Sequence, residues 1–185
     1  MRAFGFRLWL FVFFLVFIDQ LSKTLVKANL DIGQEFAVTD WFFIYFVENN
    51  GFAFGYEFFG HWGKLFLTII RVVFVFFIFR WIVVLLNNNA DRVVVVALLL
   101  IFSGAIGNII DSVFYGPIYG YGPLFFGKVV DMFYFPLFSG TYPAWVPFLG
   151  GEPFLFFRFI FNLADSFISV GGVILLVFHK RIPLK

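Results

Sequence analysis

The chain has 185 residues, of which 62% are hydrophobic, 25% aromatic and only 13% charged, a balance that excludes an ordinary soluble globule. Its net charge of +2, without a run of basic residues or an interleaved basic and aromatic patch, argues against nucleic acid as a partner. The absence of cysteine removes disulfides, thiolate catalysis and thiolate metal sites, and two separated histidines, His61 and His179, make a zinc cluster a poor expectation. What remains for chemistry is carboxylates, hydroxyls, amides and lysines.

Arg2 and Arg7 precede an apolar run that starts as a signal peptide would but continues through Asp19 to Val26, long enough to cross a bilayer and without a cleavage pattern. The first expected span is therefore 6–26. Near its far end Asp19 and Lys23 stand four residues apart, acid first, the favourable order for a helical ion pair. That pair either neutralises itself at the interface or shapes a site. Residues 27–63 then hold five of the eleven acids, Asp31, Glu35, Asp40, Glu48 and Glu57, with a β-prone run from Trp41 to Val47 and the turn signal Asn49-Asn50-Gly51. A small sheet over 30–60, lying on the membrane surface, is expected there.

The second span is expected over 64–86, interrupted by Arg71 and Arg80. Arg80 can snorkel to the nearer end, and Arg71 can snorkel or pair. After a short polar loop, the third span over 92–114 carries Gly104, Asn108 and Asp111 at i, i+4 and i+7, one helix face, with Gly107 thinning the neighbouring surface. An aromatic and glycine-rich connection over 115–157 contains Asp131 and suits a lid or binding loop. The fourth span, expected over 158–179, places Asn162, Asp165, Ser169 and Gly172 on one face. An acid at such depth costs about 2.5 kcal/mol or more, so Asp165 calls for a functional explanation.

Basic residues at both ends and in the middle loop put those three places on the cytoplasmic side. Asp19 with Lys23, Asn108 with Asp111, and Asn162 with Asp165 then all fall at the outer leaflet, where converging acids point to general acid and base hydrolysis. Position along the helices pairs Asp165 with Asp111. Ser22 and Lys23 are adjacent and do not share a helix face, which disfavours a serine and lysine nucleophile. A proton-coupled membrane transporter is the competing class, because intramembrane acids and lysines also line ion paths. It is disfavoured by the cytoplasmic halves of the spans, which lack polar steps apart from Arg80.

Five motifs in order, Asp19 with Lys23, Asn49-Asn50-Gly51-Phe52-Ala53-Phe54-Gly55, Gly104 to Asp111, Val129-Val130-Asp131-Met132-Phe133 and Phe161 to Ser166, closely resemble signal peptidase II, the bacterial lipoprotein signal peptidase. The resemblance implies a membrane all-α fold of four transmembrane helices with a small extracytoplasmic β-sheet, one membrane domain over 1–185. It implies an aspartic endopeptidase of the bacterial cytoplasmic (inner) membrane, multi-pass, with its site facing the extracytoplasmic side. The substrates would be prolipoproteins cut just before a diacylglyceryl-modified cysteine, membrane lipid the other partner, and no cofactor or metal is implied. The catalytic pair would be Asp131 and Asp165, with Asp19, Lys23, Asn49, Asn108, Asp111, Asn162 and Ala164 shaping the site. Two departures stand out: Ser112 occupies the place where the family pattern has an arginine after the acid, and the connection between Asp131 and Asp165 is longer than usual, the extra length falling between Pro136 and Phe157.

Overall fold

A computed structural model describes residues 2–50 and 60–183 of the chain. The turn motif is thus represented by Asn49 and Asn50, and Gly51 to Gly55, with Glu57, lies outside the described residues. Helix α1 runs Arg2–Asn29, α2 Gly60–Asn87, α3 Arg92–Ile118 and α4 Leu163–Val177. Among the described residues three helices are long and apolar enough to cross a membrane, Phe6–Asn29, Trp62–Asn87 and Arg92–Ile118. The fourth is apolar but only 15 residues long.

The shorter α4 has a local cause. Residues Ile160–Phe161, expected to be helical, form strand β6 instead, and Asn162 then caps the helix. The connection after α3 is also more ordered than its composition suggested: it supplies β3 (Val129–Tyr134), β4 (Phe138–Thr141) and β5 (Pro153–Phe156). With β1 (Glu35–Thr39) and β2 (Phe42–Asn49), strands β3 and β6 build a four-stranded antiparallel sheet in the order β1-β2-β3-β6. The 30–60 region therefore provides two strands of this sheet, and the rest comes from the connection and from the entry to α4. Strands β4 and β5 form a separate hairpin, Phe138 opposite Phe156, which takes up the extra length between Pro136 and Phe157.

Helix α3 is the hub, packed on α1, α2 and α4. Its start is set by Asp91, whose carboxylate accepts from the Val93 backbone N–H at 2.8 Å, satisfying a donor that the first turn leaves free. One apolar core, including Val12, Ile82, Leu85, Val94, Leu98 and Leu99, joins α1, α2 and α3. A second, of Val26, Phe46, Tyr115, Val130 and Met132, seats the sheet on α1 and α3. Phe66, Phe74, Phe76 and Phe77 of α2 point outward, as lipid-facing side chains do. Ring stacking of Phe135 on Phe42 at 4.6 Å and on Phe161 at 5.7 Å ties β6 to the sheet. At the far end Arg181 meets Asp91 at 3.1 Å, so the chain end and the α2–α3 loop share one side.

The close approach of α3 and α4 depends on glycine. A Cβ at Gly104 would collide with the Ala164 carbonyl oxygen and stand 2.8 Å from Ile168 Cγ1, whereas one at Gly172 would meet nothing within 4 Å. The same substitution at the two positions should act with opposite signs. Gly104→Ala forces the helices apart, at a cost of about 1–3 kcal/mol. Gly172→Ala gains helix propensity, up to about 1 kcal/mol. Thermal unfolding of the purified protein in detergent checks this: the midpoint should fall for the first variant and hold or rise for the second.

Candidate active site

Lys23 lies at the centre of a buried polar network. Its ammonium is fully buried and reaches Asp19 at 2.9 Å, Asp111 at 2.7 Å and the Asn108 side-chain oxygen at 3.1 Å. Asp19 also accepts from the Ala164 backbone N–H at 2.9 Å, fixing the start of α4 to α1. Asp111 accepts from the Val130 N–H of β3 and from Gln20 at 2.8 Å. Gly107 gives this cluster room, since a Cβ there would stand 2.5 Å from the Asp19 carboxylate. The sequence left open whether Asp19 and Lys23 neutralise each other or shape a site; in the structure they form an ion pair, and Lys23 also holds Asp111 and Asn108.

Asn108 and Asn162 carry the network to the other two acids. Asn108 donates to Asp165 Oδ1 at 2.8 Å, and Asn162 donates to Asp131 Oδ1 at 2.8 Å and to Asn108 at 3.2 Å. The backbone of Asn162 donates to Asp165 Oδ2, while the Asn162 side-chain oxygen accepts from the Asp165 N–H at 2.9 Å. This is a reciprocal capping box at the start of α4. One residue therefore touches both Asp131 and Asp165. Asn49 completes the ring, donating to Asp131 Oδ2 at 3.0 Å. Strand register explains these meetings: β2 pairs Val47 with Asp131, so Asn49 shares the Asp131 face, and β3 pairs Phe133 with Phe161, which brings Asp131 beside the helix start.

Among the described residues no buried side-chain nitrogen or oxygen lacks a partner. Asp131 is buried and Asp165 half-buried, so the pair has an inner and an outer member. Burial, and then the negative charge of Asp165, push the Asp131 carboxyl up to about 7, against the opposing pull of Asn49, Lys23 and Asn162. Nearby, burial works to raise Glu48, but hydrogen bonds from Lys27 at 2.6 Å and Lys128 at 3.0 Å outweigh it and hold the group below its ordinary value.

The positional pairing of Asp165 with Asp111 is not what the structure contains, because Asp111 is turned to Lys23, Gln20 and Val130. The expected face of α4 also changes. Asn162 precedes the helix, Ser169 is exposed, and the line packed on α3 is Ala164, Ile168 and Gly171. Two groupings escaped the sequence reading, although Arg71 was noted there singly as able to snorkel or pair. Gln20 bridges Asp19, Asp111 and the Gly107 carbonyl, and Lys64, Thr68 and Arg71 line one face of α2 at i, i+4 and i+7. The spacing that exposed Asn108 and Asp111 would have found the second set.

The family model described as signal peptidase (SPase) II matches residues 11–180. A lipoprotein signal peptidase of Porphyromonas gingivalis is 44% identical, the match covering 90% of this chain and 80% of that protein. One from Amoebophilus asiaticus is 37% identical over 92% of this chain and 75% of its own length. A bacterial membrane enzyme whose structure was solved by the in meso method superposes with a TM-score of 0.65 at 25% identity, covering 96% of this chain and 94% of the other.

Removing the buried ammonium tests the network. Lys23→Met leaves Asp19 and Asp111 facing each other without a counter-charge, which should cost about 3–5 kcal/mol. The fall in thermal midpoint should be partly recovered by adding Asp111→Asn. A single variant as stable as the parent would mean that Lys23 does not compensate those acids.

Proposed function

The chain belongs to the signal peptidase II family, and from that premise we propose that it is an aspartic endopeptidase whose catalytic pair is Asp131 and Asp165. As a lipoprotein signal peptidase it removes signal peptides from prolipoproteins. The transporter reading drawn from the intramembrane acids is set aside by this membership. The observation that carries the aspartic reading is the double engagement of Asn162, which holds Asp131 through its side chain and Asp165 through its backbone.

Two acids so close share protons as a unit. With Asp131 raised to about 7, the pair holds its last proton up into the neutral range. The ionised member takes a proton from water as the water oxygen attacks the scissile carbonyl, and the protonated member gives its proton to the carbonyl oxygen. Collapse of the tetrahedral diol breaks the C–N bond: one diol hydroxyl returns its proton to the carboxylate formed in the first step, and the proton first taken from water passes to the leaving amine. Asn108, Asn49 and Asn162 hold the acids in register, and Asp19, Lys23, Asp111 and Ala164 fix the strand and the helix that carry them.

The fourth crossing, in this reading, is made by α4 with its flanking residues. At 1.5 Å per residue α4 measures about 22 Å, against a hydrocarbon core of about 30 Å. Its Asn162 end therefore lies below the surface of the outer leaflet, where a lipid-anchored substrate presents its bond. The Arg181–Asp91 contact unites the chain end with the α2–α3 loop, and the basic residues there mark the cytoplasmic side. The active site then faces the extracytoplasmic side of the inner membrane, and the substrate is cut before a diacylglyceryl-modified cysteine.

Asp131→Asn and Asp165→Asn should each abolish cleavage of a diacylglyceryl-modified peptide in detergent, with chelators and thiol reagents leaving the parent enzyme active. An acid whose affinity for its proton is raised releases it late, so activity should decline as the pH rises through about 7. Substantial turnover by either Asn variant would refute the dyad.

A further inference from the structure

Arg71 has no part in the scheme above, yet it stands inside a helix whose outward face is apolar along most of its length, Arg80 apart. A guanidinium at that depth costs about 2.5 kcal/mol or more unless it is paired. Its position on α2 turns it inward, on the face already occupied by buried Lys64 and Thr68. The side chain is half-buried, and its Nη1 donates to the Ser112 hydroxyl at 3.4 Å. Ser112 in turn donates to the Asn108 carbonyl at 2.8 Å, one residue from the network that holds the acids. The acids whose charge acts on Arg71 are, in order, Asp165, Asp131 and Asp111.

We propose that Arg71 is a positioning residue for the acid pair: anchored on Ser112, its guanidinium reaches across from α2 and holds the single negative charge that Asp131 and Asp165 share. The guanidinium of α2 thus meets α3 at Ser112, one turn along from Asn108. A planar, permanently charged donor suits that task, since it cannot take the proton that the reaction moves. The inference rests on the dyad reading of the site.

The other charged groups around the pair have their own partners. On α1, Lys23 is held between Asp19 and Asp111 of α3, and on α2 Lys64 donates to Asn50. On β2, Glu48 is engaged by Lys27 and Lys128. Arg71 is tied to the pair by a chain of contacts, from its Nη1 to the Ser112 hydroxyl, from that hydroxyl to the Asn108 carbonyl, and from the Asn108 side-chain amide to Asp165.

A positive charge beside two acids favours their ionised forms, so its removal must make the pair hold its last proton to higher pH. In the full-length enzyme, cleavage of a diacylglyceryl-modified peptide by Arg71→Gln should lose activity on the alkaline side at a midpoint about one unit above that of the parent. Arg71→Lys, which keeps the charge, should stay near the parent midpoint. A Gln profile that overlays the parent overturns the proposal however far turnover falls, and an equal shift in the Lys variant overturns it by assigning the effect to lost packing. Asp131→Asn and Asp165→Asn run in parallel separate the two claims: turnover by either would sink the dyad itself, whereas inactive Asn variants with an unmoved Arg71→Gln profile would sink only the role of Arg71.

Discussion

A lysine ammonium fully enclosed between two carboxylates is the constraint on which the rest of this molecule depends. Moving an ion out of water costs several kcal/mol, which attraction offsets only when the geometry is good and every remaining donor and acceptor is used. Lys23 meets both conditions, with Asp19 at 2.9 Å, Asp111 at 2.7 Å and Asn108 at 3.1 Å. The acids are satisfied in turn by the Ala164 and Val130 backbone N–H groups and by Gln20. Those contacts come from α1, α3, the start of α4 and strand β3. The charge pair therefore fixes four elements relative to one another, at the level where the second pair of acids sits.

The two acid clusters are built for different ends. Around Lys23 charge is neutralised and shut in. Around Asp131 and Asp165 two like charges are brought together on the amides of Asn49, Asn108 and Asn162, which have no charge to cancel them. Burial, and then repulsion from Asp165, raise the Asp131 carboxyl to about 7. Asn108 joins the clusters, accepting from Lys23 and donating to Asp165. The Lys23 cluster thereby sets the geometry of the second pair of acids, of which Asp165 is the half-buried, outer member.

Much of this was legible wherever one helix period could be followed. Asp19 with Lys23 and Gly104, Asn108 and Asp111 stood out because their spacing places them on one face, and the short polar loop before residue 92 marked the start of α3. Strand β6 was not legible, because a short apolar run such as 159–161 suits helix and strand equally, and only pairing with β3 decides between them. The error spread from there. Reading those residues as helix moved Asn162 into the helix, and Ser169 with it onto the wrong face. Asp131 lies on a strand whose partners are far along the chain, so local periodicity could not bring it to Asp165, and the family motif was needed. Arg71 was a different kind of miss: weighed alone as a charge near a span end, it was never grouped with Lys64 and Thr68, although the same spacing rule applied.

The central claim is that Asp131 and Asp165 form one titrating unit that keeps a proton at neutral pH. Difference infrared spectroscopy of the detergent-solubilised enzyme, titrated through the neutral range, reads that proton directly as the carbonyl stretch of a protonated carboxyl group. The account predicts a band that disappears with a midpoint near 7, is missing in Asp131→Asn, and titrates at lower pH in Asp165→Asn, where the neighbouring negative charge is gone. No carboxyl band titrating near neutrality, or one unchanged in both variants, would contradict it.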